Sequence, residues 1–275
     1  ELFHDLKDNI IFAMNHIAMK INNVLDILES WAPKEIAEDF DNVGLLIGDP
    51  SRTLKNILVT LDATEDVVEE AIKKGCNLII SYHPIIFDGI KKISEQDYVQ
   101  KTIVKSIENR ISIYAIHTSI DNHPNGISYS LAKIFGLNKT SILIPKDKKI
   151  GNSKIGMGTI GHLKSKISEE NFLDLVKKNI KNDFIRHSKL TGKMISKVAV
   201  VAGSGSFAID DCLKNNVDAL ITSDLKYHKF FIENDKILLI DIGHFESEKH
   251  IKLVIQEYLK KKLPNFTILL SEKNV

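Results

Sequence analysis

The sequence predicts an α/β fold made of two related halves, with the carboxyl ends of their strands facing one shared metal cleft. Three observations predict it. Short apolar runs alternate with amphipathic helical stretches along most of the chain, the pattern of a largely parallel sheet covered by helices. One strand–helix–strand stretch recurs without a gap, residues 57–83 matching residues 198–224. Acids and histidines follow the apolar runs directly, at the place where open α/β sheets bind ligands.

The elements follow in order. Ile21, Val24, Leu25 and Leu28 recur at helical spacing and Pro33 ends that helix. Asp41-Asn42-Val43-Gly44 is a turn before a strand over Leu45–Ile47. A strand over Ile57–Leu61 leads to a helix over Glu65–Lys74, with Thr64 as N-cap and Gly75 as its stop. Leu78–Ile80 and Ile113–Ile116 are the next strands. The run Pro145 to Lys154 is polar, Lys-rich and broken by Pro and Gly, which marks a solvated connection. Met157–Leu163 reads as a strand, and Ser168 caps a helix with Glu169 and Glu170 in its first turn. Strands at Val198–Ala202, Ala219–Thr222 and Ile237–Ile240 enclose a helix over Ala208–Asn215. A long helix to about Lys261 and a strand over Thr267–Leu270 finish the chain. The expected division is an extension over 1–18, a first half over 19–145, a connection over 146–155 and a second half over 156–275.

A chain of 275 residues with 43% hydrophobic content can bury a large core. A net charge of +1 supplies no field for nucleic acid or an anionic membrane. The two cysteines, Cys76 and Cys212, form no C-x-x-C pattern, which argues for a reducing compartment and against thiolate metal sites. The opening Glu1-Leu2-Phe3-His4-Asp5 has no basic stretch before an apolar core, so no signal peptide is expected there and the expected location is cytoplasmic.

His117 with Asp121, and His244 with Glu248, share an i,i+4 spacing that puts both side chains on one face of a helical turn. His83, before Pro84, follows a third apolar run. Imidazole and carboxylate suit Zn, Fe or Mn, and Glu248 has the reach to bridge two ions. Two close ions can share a water and lower its pKa to the neutral range. His83-Pro84 also reads as a rigid turn. Asp224 and His228 repeat the spacing, as ligands, as supports or substrate contacts behind the ligands, or as a helix cap with an exposed histidine. Support or substrate contact is the preferred reading. His4, His16, His123, His162, His187 and His250 read as surface or packing residues. Gly203-Ser204-Gly205-Ser206, between a strand and a helix, is either an anion cradle or a tight turn.

At these residues the chain resembles the Nif-three-like dinuclear metal-centre proteins, often labelled type 2 GTP cyclohydrolase I homologs. The carriers are Asp41-Asn42-Val43-Gly44-Leu45, Ser81-Tyr82-His83-Pro84-Ile85-Ile86-Phe87, His117-Thr118-Ser119-Ile120-Asp121, Ser223-Asp224-Leu225-Lys226-Tyr227-His228 and Asp241-Ile242-Gly243-His244-Phe245-Glu246-Ser247-Glu248. The resemblance implies two half-domains around a dinuclear centre, with His83, Asp121, His244 and Glu248 as ligands, Glu248 bridging, His117 alongside, and a ring-shaped homohexamer. Tyr82 stands where many members have a second histidine, which leaves one ion with fewer ligands or gives it a phenolate oxygen.

The expected function is hydrolysis of a nucleotide-like or cyclic amide or phosphoester substrate by hydroxide on two divalent ions (Zn, Fe or Mn). His117 or His228 would shuttle the proton, Tyr82 and Asp224 would support the ligands, and the Gly203–Ser206 turn would hold a phosphate. The alternative is a metal-trafficking or regulatory scaffold without enzymatic activity. The expected partners are a small molecule and further copies of the chain, with no direct nucleic-acid or membrane binding.

Overall fold

Strands buried on both faces are written as unbroken apolar runs, and such runs form the centres of two separate sheets in this protein. The computed structural model describes residues 19–232 and 236–273; the expected extension over 1–18 lies outside the described residues. In chain order the elements are α1 (Ile21–Trp31), β1 (Gly44–Ile47), β2 (Asn56–Thr60), α2 (Glu65–Lys73), β3 (Cys76–Ser81), α3 (Tyr98–Glu108), β4 (Ser112–Ala115), α4 (His117–Asp121) and α5 (Ile127–Ile134). They continue as β5 (Asn138–Ile150), β6 (Ser153–Ile167), α6 (Glu169–Ile180), β7 (Arg186–His187), β8 (Ile195–Ser204), α7 (Ile209–Lys214), β9 (Ala219–Ser223) and α8 (Lys229–Ile232). The last are β10 (Leu238–Asp241), α9 (His244–Glu248), α10 (Ile251–Lys262) and β11 (Ile268–Leu270).

The first sheet has the order β1-β4-β3-β2-β11 and the second β5-β6-β8-β9-β10-β7. In the first, β2, β3, β4 and β11 are parallel and β1 is antiparallel to β4. In the second, β8, β9 and β10 are parallel, with antiparallel strands on both sides. The two matched stretches therefore occupy equivalent places: β2–α2–β3 in one sheet and β8–α7–β9 in the other.

Successive strand residues point to opposite faces, so each sheet builds two cores. Ile57, Val59, Leu78 and Ile80 pack with α1 and α10, while Leu58, Ile79 and Ile113 pack with α2. Val198, Val200, Ile221 and Ile240 meet Phe172 and Val176 of α6. Ala199, Val201, Leu220 and Leu239 meet Ile209 and Cys212 of α7. Both cysteines are buried and unpaired.

The structure differs from the sequence reading at three places. The stretch 146–155 is no open connection: it is the far end of the antiparallel β5–β6 hairpin, with Lys149 opposite Lys154. Much of β5 is exposed, so it lacks the apolar alternation that marks a half-buried strand. Sheet membership also crosses the expected boundary, because β11 joins β2 in the first sheet and Leu131 and Ala132 of α5 pack in a core of the second. Thr64 sits at the N-cap of α2 but makes no side-chain capping bond; Glu65 and Asp66 in the first turn favour the helix start instead. Among the described residues no helix is long and apolar enough to cross a membrane.

Candidate metal centre

The six central parallel strands deliver polar side chains at their carboxyl ends. Asp62 follows β2, Tyr82 and His83 follow β3, and His117 opens α4 just beyond β4. Gly203 and Ser204 end β8, Asp224 follows β9, and His244 opens α9 just beyond β10. One cavity of about 420 Å³ is lined from both sheets, by His83, His117, Asp121, Gly203, His244 and Glu248 among others, with Phe40, Phe87 and Phe207 beside them.

Three donors converge there. Nε2 of His83 and Nε2 of His244 each lie 3.1 Å from Glu248 Oε2, and the donor atoms of the three residues all lie within 4.8 Å of one another. Glu248 is 3% exposed, and its Oε2 is buried without a hydrogen-bond partner. A buried carboxylate oxygen that makes no hydrogen bond is costly unless something else satisfies it. The three atoms point at one another closely enough to share one partner. Two imidazole nitrogens and a carboxylate fit Zn, Fe or Mn.

Each histidine near the cavity is held from behind by an aspartate. Nδ1 of His83 lies 2.8 Å from Asp62, Nδ1 of His117 lies 2.8 Å from Asp41, and Nδ1 of His244 lies 2.6 Å from Asp224. An ionised carboxylate only accepts, so Nδ1–H donates and Nε2 faces the cavity, where giving up its proton frees a lone pair for a ligand. Metal-binding histidines are almost always oriented in this way. Asp224 adopts a left-handed backbone, φ 55°, a region where Asp is enriched among non-glycine residues; Ser204 Oγ donates to it. Removing the Asp224 carboxylate by Asp224→Ala is expected to weaken Zn²⁺ binding by roughly 10- to 100-fold, measured by competition against a chromophoric chelator.

Charge follows the same plan. The Glu248 carboxylate pushes His244 up to about 9 against its burial, with Asp224 adding to the effect. Burial opposes the charge on His83, but Asp62 and Glu248 outweigh it and raise that imidazole to about 10. Burial also opposes ionisation of Glu248, yet His244 and His83 hold its carboxyl below the usual range. Without a metal, positive charge on the two imidazoles balances the buried acid. Asp41 is held at about 2, against its burial, by His117 and Thr118.

Tyr82 and Asp121 form a second arrangement. The Tyr82 hydroxyl donates to Asp121 Oδ1 at 2.6 Å. Burial and the charges of Asp121 and Glu248 push the phenol well above its usual range. Burial raises Asp121 to about 7, with Glu248 and Asp41 adding to it and His117 and Tyr82 opposing. Asp121, expected as a ligand, lines the cavity but stands outside the three-donor group.

Other expectations change. His228 is exposed and packs its ring against Tyr227 and Phe231, outside the cavity; its i,i+4 relation to Asp224 forms no helical turn, because Asp224 sits at φ 55° and the residues up to Lys226 are irregular. Two groups of the Gly203–Ser206 turn are already engaged. The Gly203 N–H donates to Ser247 Oγ and the Ser204 hydroxyl is held by Asp224. The helix after it, α7, spans only 6 residues. Glu248 ends the short helix α9, and adjacent imidazoles offset its charge.

The residues that sequence reasoning missed are Asp41 and Asp62 as partners of His117 and His83. They lie 76 and 21 residues from those histidines, beyond any local spacing rule. The signal available was their position: Asp62 directly after a strand and Asp41 in a turn beside one.

The family model described as Duf34/NIF3 (NGG1p interacting factor 3) matches residues 19–274. A GTP cyclohydrolase 1 type 2 homolog of Clostridium acetobutylicum is 35% identical over 264 residues, covering 94% of this chain and 98% of that protein. NIF3-like protein 1 of Drosophila melanogaster is 32% identical over 239 residues, 84% of this chain and 78% of its own length. Among solved structures, a Bacillus cereus protein related to NIF3 superposes with a TM-score of 0.87 at 24% identity, covering 94% of this chain and 98% of its own. Staphylococcus aureus protein SA1388 gives 0.85 at 26% identity, with the same coverage.

Proposed function

The chain belongs to the Duf34/NIF3 family, and on that premise we propose that it is a metal-dependent hydrolase of small molecules, acting on a nucleotide-like or cyclic amide or phosphoester substrate. The observation that carries this reading is the convergence of His83, His244 and Glu248 in a cavity that also presents His117. A bound divalent ion supplies Lewis acidity and lowers the pKa of water towards neutrality. His83, His244 and Glu248 would hold it. His117, fixed through Nδ1 by Asp41, would take or give a proton at Nε2. A cavity of about 420 Å³ falls in the range of small-molecule sites. Phe40 and Phe87, with ring centroids 6.4 Å apart, would pack on a planar ring and keep water from it.

The test is turnover of a panel of nucleotides and cyclic amides with Zn²⁺, Mn²⁺ or Fe²⁺. Turnover that His117→Ala strongly reduces while metal content stays unchanged is the expected result. No turnover with any metal, or equal turnover by Glu248→Ala, would refute hydrolysis at this site. The exposure of His244, 41% of its side chain, favours a second reading as a metal carrier. Release of zinc to an apo-acceptor within minutes, without turnover of any substrate, would select it. The assembly in either reading is the homohexamer that the resemblance implies. Exposed Ile90, Ile93 and Tyr98 before or at the start of α3 support such an interface, and light scattering would test it.

A further inference from the structure

The two histidine–carboxylate helices differ in what completes them. His117 and Asp121 are the first and last residues of α4, and His244 and Glu248 are the first and last of α9. Two consecutive residues beyond β3 divide between them. His83 turns to the α9 pair and presents Nε2 to Glu248 Oε2 at 3.1 Å. Tyr82 turns to the α4 pair and donates its hydroxyl to Asp121 Oδ1 at 2.6 Å. The rings of Tyr82 and His83 lie 4.9 Å apart between centroids, so the two arrangements are neighbours in one cavity wall.

Their chemistry is opposite. At α9, two nitrogens and an oxygen turn towards one centre, and Glu248 Oε2 is left without a hydrogen-bond partner. At α4, a proton already joins the two oxygens. His117 has its Nδ1 committed to Asp41. Among the described residues no second group of three His, Cys, Asp or Glu side chains brings its donor atoms within 4.8 Å. A cation needs several lone pairs directed at one point. A phenol that points its O–H at Asp121 takes one of those lone pairs and fills the position of another donor.

We propose that the chain binds one divalent cation, at His83, His244 and Glu248, and that the Tyr82–Asp121 hydrogen bond occupies the counterpart position where a second ion would sit. The inference rests on the metal-binding reading given above. It makes Tyr82 the residue that sets metal stoichiometry. Asp121 is then a hydrogen-bond acceptor rather than a ligand, and Glu248 serves a single ion instead of bridging two.

The experiment is equilibrium dialysis of the full chain against buffered free Zn²⁺, with bound zinc per chain counted by elemental mass spectrometry. One zinc per chain is expected. Tyr82→His removes the O–H donor, frees Asp121 and adds a nitrogen, and is expected to bind two. Tyr82 is 1% exposed, so a folding check by circular dichroism accompanies that variant, and Asp121→Asn provides an independent arm. Asp121→Asn is expected to keep one zinc with its affinity unchanged. Two zinc ions on the unaltered chain, or loss of zinc in Asp121→Asn, would overturn the inference while leaving the metal reading intact. A folded Tyr82→His that stays at one zinc would overturn the role given to Tyr82. No zinc on the unaltered chain would overturn the metal reading itself, and this inference with it.

Discussion

Alanine in place of Glu248 is expected to abolish zinc binding. The carboxylate supplies a donor that stands 3.1 Å from both imidazole Nε2 atoms, and among the described residues no other acid joins the group. Loss of a partner behind a ligand costs about 10- to 100-fold in affinity, and loss of this ligand should exceed that. Thermal unfolding gives a second readout. A ligand at 100 times its Kd stabilises the native state by about 2.7 kcal/mol, which for a chain of this size raises Tm by roughly 5–10 °C. The unaltered protein should show such a rise with zinc and Glu248→Ala none. A full zinc-induced rise in the variant would remove Glu248 from the site. The metal-free variant should still fold, because the strands around the site are held by cores on both sheet faces.

The second large effect is expected from a residue with no side chain. Gly203 has φ +66°, and a Cβ there would overlap Glu248 Oε1 and approach His244 Cε1 at 3.6 Å. Gly203→Ala therefore strains the backbone by about 1–2 kcal/mol and also drives the Glu248 carboxylate out of place. Zinc affinity should fall by at least about tenfold, since a misplaced carboxylate costs no less than a lost supporting bond. Calorimetric titration with zinc would measure it. Native affinity in Gly203→Ala would show that Glu248 does not need the space this glycine leaves.

How far the sequence discloses this protein depends on the reach of each interaction. The parallel strands are legible because burial on both faces writes them as apolar runs. The matched stretches 57–83 and 198–224 do become equivalent strand–helix–strand units. The donors His83, His244 and Glu248 are legible from their positions after strands. The β5–β6 hairpin is not, because an exposed ribbon carries no buried stripe to set a period. His228 misleads because spacing alone cannot tell a helix from the irregular stretch that follows Asp224. The aspartates behind His83 and His117 escape notice because their pairing depends on which strand ends lie side by side, a property of topology rather than of local order.

The pairing of β11 with β2 also governs the order of events during synthesis. β11 pairs with β2, Ile268 opposite Ile57, and Ser271 with Glu272 ties to Glu70, about 200 residues earlier in the chain. A nascent polypeptide emerging from the ribosome presents β2 long before its last neighbour exists. Until residues 268–270 clear the exit tunnel, β2 is an open edge, which favours association with other chains. Contacts this distant in sequence form slowly, so this protein's exposure to chaperones and to misassembly includes the interval before β11 docks on β2.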